Sequence, residues 1–155
     1  MIERILEAVR RFGGSDNPPQ ENLIPIAAAT LLMEVAWADH QITDDELIVI
    51  RRSLATLFDL DAQTIEEIIE ESRTHQDESV GIFSFTRTIT EAWDEPDRFK
   101  LVAAMWELAL EDESLHRFEE HMIRKIAELL YVAHARFIEA KQLARSRLRS
   151  RQTEK

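Results

Sequence analysis

At 155 residues the chain suits one domain, which would bury roughly 68–70% of its unfolded surface. Its composition, 45% hydrophobic and 32% charged, excludes a disordered chain, and the absence of cysteine excludes disulfides, thiolate-bound zinc and thiol catalysis. The net charge of -11 is uneven, because residues 136–155 hold seven Lys/Arg against two Glu. The acidic body excludes duplex nucleic acid as its partner and suits a cation or a basic protein.

In chain order, Ile2, Ile5, Leu6, Val9 and Phe12 recur at helical spacing. They predict an N-terminal amphipathic helix over residues 1–12. Residues 13–21, with Gly13-Gly14-Ser15-Asp16-Asn17-Pro18-Pro19, form a linker. The start Met1-Ile2-Glu3-Arg4 lacks the apolar run and cleavage site of a signal peptide. The expected location is the cytoplasm. Residues 22–38 are apolar on nearly every face and rich in alanine, so they read as a central helix. Pro25 and Glu34 interrupt that stretch, which is too short to span a bilayer.

Thr43-Asp44-Asp45-Glu46 is a capping box, so the next helix starts there and runs to about Phe58. A helix over 62–76 turns Ile65, Ile68 and Ile69 inward. Another over 79–93 presents Val80, Phe83, Ile89 and Trp93. Asp94-Glu95-Pro96-Asp97 opens a helix that reaches about Glu111, since proline fits the first turn and acids fit the positive end of the helix dipole. Helices follow over 116–131 and from His134, the last with Phe137, Ile138, Ala140, Leu143 and Ala144 apolar. The body, 22–145, is thus an all-α bundle, seven to eight helices with the N-terminal one. Residues 146–155 form a basic tail.

The two halves of the body repeat at an offset of about 73 residues. Glu34, Asp39, Ile42, Glu46, Ile50, Arg51 and Phe58 fall on Glu107, Asp112, Leu115, Glu119, Ile123, Arg124 and Tyr131. A pseudo-twofold pair of helical hairpins is the expected architecture. Ala27-Ala28-Ala29 and Ala103-Ala104 would let its two central helices approach closely. Surface carboxylates have no packing reason to recur in register. Each hairpin places an Asp at the end of one helix and a Glu in the first turn of the next, so the two oxygens can converge.

Asp39, Glu46, Asp112 and Glu119 are therefore the candidate metal ligands. Hard oxygens on a short turn suit Ca²⁺, Mg²⁺ or Mn²⁺. A competing reading makes the same acids helix caps. An EF-hand does not fit, because its glycine and twelfth positions fall on Asp44 and Ile50 from Asp39, and on Arg117 and Ile123 from Asp112. There is no HExxH motif and no glycine-rich phosphate loop. The three tryptophans, Trp37, Trp93 and Trp106, read as core. A carboxylate enzyme would need a pocket joining Glu34 or Glu107 to the loop acids.

The turn Ala38-Asp39-His40-x-Ile42-x3-Glu46, and its counterpart Asp112-Glu113-x-Leu115-x3-Glu119, resembles the tellurite-resistance TerB family over about residues 22–145. In that family the residue after Asp is glycine; here it is His40 or Glu113. The resemblance implies an all-helical, non-enzymatic domain that binds a divalent metal through Asp39, Glu46, Asp112 and Glu119. It also implies a bacterial stress-response role with a protein partner, and for some members a place at the inner membrane face. Peripheral membrane contact would use the N-terminal helix or the basic tail. The alternative is a protein-interaction module without metal.

Overall fold

The computed structural model describes residues 20–39, 41–73, 82–111 and 117–153. The predicted N-terminal helix, the linker as far as residue 19, and the expectations for His40, Val80, Asp112, Glu113 and Leu115 lie outside these residues, while the last two residues of the predicted linker, 20 and 21, are helical. Every regular element among the described residues is helical. The helices are α1 (Gln20–Ala36), α2 (Asp44–Leu57), α3 (Ala62–Arg73), α4 (Ile82–Ala92), α5 (Glu95–Leu110), α6 (Arg117–Leu129) and α7 (His134–Thr153). A single 3-10 turn, Trp37–Asp39, ends α1.

Two helices form the centre because they have no polar stripe. Ala28, Leu31, Leu32 and Met33 of α1, and Leu101, Val102, Met105 and Trp106 of α5, are completely buried. α1 packs on α2, α3, α4, α5 and α6, whereas α5 packs on α1, α2, α6 and α7. The alanines Ala27, Ala28, Ala29, Ala103 and Ala104 are all buried, as their size suggests. Buried hydroxyls in the layer between α1 and α3 are satisfied locally. Thr30 Oγ1 donates to the Ile26 carbonyl at 2.8 Å, and Ser72 Oγ donates to that of Ile68 at 2.9 Å.

The outer helices follow the 3.6-residue period. Ile65, Ile68 and Ile69 face inward. In α4 the inward face is Ile82, Phe85, Thr86 and Ile89, and Phe83 is 61% exposed. The expectation for Phe83 is corrected by phase, since Phe83 lies about a third of a turn round the helix from Ile89, while Phe85 sits close to one turn before it. Ile138 is also turned partly outward at 38% exposure, while its neighbour Phe137 is buried against Trp106, ring centroids 5.2 Å apart.

The helix ends show how the chain turns. Thr43 caps α2 as predicted, its hydroxyl accepting from Glu46 N at 3.1 Å while Glu46 Oε1 accepts from Thr43 N at 3.0 Å. α5 starts after Asp94 with proline in its first turn, but the Asp94 side chain makes no capping bond. α6 ends in a Schellman turn, in which Val132 N donates to Ala127 O and Tyr131 N donates to Glu128 O. This requires a left-handed residue, and Tyr131 takes that role at φ 57°. Its sequence counterpart Phe58 is extended at φ -133° and stacks on Trp93, centroids 5.5 Å apart. The two halves thus differ at this matched pair.

The basic segment departs most from expectation. α7 continues through Arg145, Arg147, Arg149 and Arg151 to Thr153. Packing against α5 explains this continuity, for Arg147 and Arg151, one turn apart, both reach Glu107.

Candidate functional site

Glu46 and Glu119 each occupy the third position of the second helix of a hairpin, in α2 and α6. Both carboxylates are buried, with only 7% and 3% of the residue exposed. Burying a carboxylate is costly without partners. For Glu46 the capping box supplies part of the compensation, and Glu119, like Glu46, makes further interactions.

Asp39 closes the 3-10 turn, and that turn packs against α6, the helix whose first turn bears Glu119. Two of the four sequence-predicted ligands are therefore on neighbouring elements from opposite halves. Only the backbone of Asp39 is described, and Asp112 lies outside the described residues. Among the described side chains no three of His, Cys, Asp and Glu are grouped as a metal site. The additional acids of the first loop, Asp44 and Asp45, are exposed in the first turn of α2, where they favour the positive end of the helix dipole.

The recurring glutamates inside the central helices have different surroundings. Glu34 is partly buried, and burial pushes its carboxyl pKa above the ordinary carboxylate value. Glu107 is buried at 7% exposure. Arg151 Nη2 stands 3.2 Å from its Oε1, and Arg147 Nη1 stands 3.6 Å from its Oε2. The residues at the corresponding offset from Arg147 and Arg151 are Thr74 and Glu78, neither of them a cation. Sequence reasoning missed these arginines; their i, i+4 spacing places them on one helix face but does not name Glu107 as the partner.

A cavity of about 450 Å³ opens between α2, α5 and α7 and includes Glu107 in its wall. Among the described residues, neither Glu34 nor Asp44, Asp45, Glu46 or Glu119 of the turns lines it. The pocket that would join Glu107 to the loop carboxylates is thus not formed by this cavity. No helix among the described residues is long and apolar enough to cross a membrane.

No curated protein and no solved structure matches the chain. The family model described as tellurite resistance protein TerB matches residues 25–142, from the first turns of α1 well into α7. With most of its length inside that match and an all-helical fold to carry it, the chain belongs to the TerB family and is a tellurite-resistance-related domain.

Proposed function

We propose that this TerB domain is a non-enzymatic, cytoplasmic adaptor or sensor of a bacterial stress response, governed by a divalent cation at its acidic turns. Asp39, Glu46, Asp112 and Glu119 are the ligands in this reading, and Ca²⁺, Mg²⁺ or Mn²⁺ is the cation. The observation that carries it is the matched pair Glu46 and Glu119. Both are buried, and they stand at matched offsets in the two hairpins. A hard cation would offset the cost of gathering carboxylates at such turns. Cation binding would then fix the relative position of the two hairpins, which is what a protein partner could read.

Calorimetry with each of the three cations tests this on the parent chain and on the Asp39→Asn/Asp112→Asn double variant. Heat of binding and a cation-dependent rise in melting temperature in the parent alone support the proposal. No heat and no rise in the parent reject it.

The capping box at Thr43 favours a second reading for one residue, because it gives Glu46 a structural task without metal. In that case the domain is a metal-free interaction module. The double variant would then lose the same stability with and without cation.

A further inference from the structure

The cavity between α2, α5 and α7 has the wrong sign for its protein. In a chain of net charge -11, its wall carries Arg52, Lys100, Arg147 and Arg151 against only Asp97 and Glu107. Glu107 already meets two of these cations, Arg147 and Arg151. Lys100 Nζ stands 3.8 Å from Asp97 Oδ1, in a pair that is mostly exposed. Arg52 is left over. Its Nη2 is buried and has no hydrogen-bond partner. A buried charged donor without an acceptor is among the most costly polar arrangements. A turn of the Arg52 guanidinium toward the cavity it lines would let an oxyanion there supply that acceptor.

We infer that this cavity binds a small organic oxyanion, with one phosphate or carboxylate head and a compact apolar body. The head would sit on Arg52, whose planar fork suits two oxygens at once. Lys100, exposed on the wall, adds a mobile positive charge that draws the anion in. The apolar body would lie on Leu57, Trp93 and Ala104, which also line the space. The volume falls in the range of pockets that hold small ligands. Ser53, buried in the same wall, adds a hydroxyl that can donate to a head-group oxygen. This site is separate from the acidic turns and stands whether or not they bind a cation.

Four probes titrated into the full chain at low salt separate the possibilities: inorganic phosphate, phenyl phosphate, benzoate and the neutral phenol. Calorimetry reads affinity, and proton–nitrogen spectra of the arginine side chains read location. Phenyl phosphate or benzoate should bind and shift the Arg52 signal. Whichever of the two binds more tightly identifies the head group. Inorganic phosphate should bind more weakly than phenyl phosphate, because it lacks the apolar body. Arg52→Gln should weaken the better probe by about tenfold or more, the loss of a charge-assisted hydrogen bond. That variant should keep its helical circular dichroism, and its melting temperature should not fall, because the unpaired charge is gone. Lys100→Gln, at an exposed position, should weaken the same probe without disturbing the fold. The inference is overturned if neither organic anion binds at roughly millimolar concentration. It is equally overturned if phenol binds as well as benzoate, or if Arg52→Gln and Lys100→Gln both bind like the parent.

Discussion

Arg136 lays its guanidinium over the ring of Phe99, 3.7 Å from the centroid, while its fork grips Glu95 through Nε at 3.0 Å and Nη2 at 3.2 Å. This joins the start of α7 to the first turn of α5 by one planar group acting in two directions. Hydrogen bonds to Glu95 and then to Glu139 hold the guanidinium charged, with its pKa above the ordinary value. Lysine would keep the charge but lose the fork and the flat stacking face. Arg136→Lys should therefore lower the melting temperature, and added salt should narrow the gap between variant and parent. Thermal scans at low and high salt measure both effects.

The capping box of α2 gives the second expectation. Thr43 accepts the amide of Glu46, one of the donors that a helix start leaves unpaired. Thr43→Ala should cost about 1 kcal/mol of stability, within the usual range for such caps. Urea unfolding should show a lower midpoint with an unchanged slope. An unchanged midpoint would mean that water replaces the hydroxyl at no cost.

Tyr131 supplies the third. It holds a left-handed conformation at φ 57° with its side chain 77% exposed, so little packing compensates the backbone cost. A residue with a Cβ is strained there by roughly 1–2 kcal/mol. Tyr131→Gly should recover part of this, raising stability by about 0.5–1 kcal/mol after the larger entropy of the unfolded glycine is counted. Denaturant unfolding tests it, and a destabilised variant would show that the tyrosine makes a contact of greater worth.

Glu34 makes stability depend on pH. Its folded pKa is raised by burial above the ordinary glutamate value. The folded state then binds its proton more tightly than the unfolded state. The contribution is fully present below the unfolded pKa and is lost as pH rises through the folded one. Glu34→Gln should be more stable than the parent near neutral pH. Its advantage should shrink to nothing below about pH 4, near the pKa of an unfolded glutamate. Melting temperatures of both chains across that interval provide the measurement.

The sequence disclosed the helices because most are bounded by strong chemistry, such as the Thr43 capping box and the proline at the start of α5. It disclosed the central pair because α1 and α5 lack a polar face. It placed Glu46 and Glu119 at equivalent positions, and both occupy the third residue of their helices. It did not disclose which aromatic of α4 turns inward, because Phe83 and Phe85 differ only in helical phase. Nor did it disclose the surroundings of Glu107. Those depend on a helix 40 residues later in the chain, and periodicity within one segment carries no information about such a partner.

The continuation of α7 to Thr153 changes where this domain ends. The family match stops at residue 142, but the arginines that neutralise Glu107 lie at 147 and 151. A chain shortened to the matched region would uncover the flank of α5 and leave Glu107 without either arginine. Trimming of this arginine-rich end by a trypsin-like protease would therefore wound the centre of the bundle from its outermost residues.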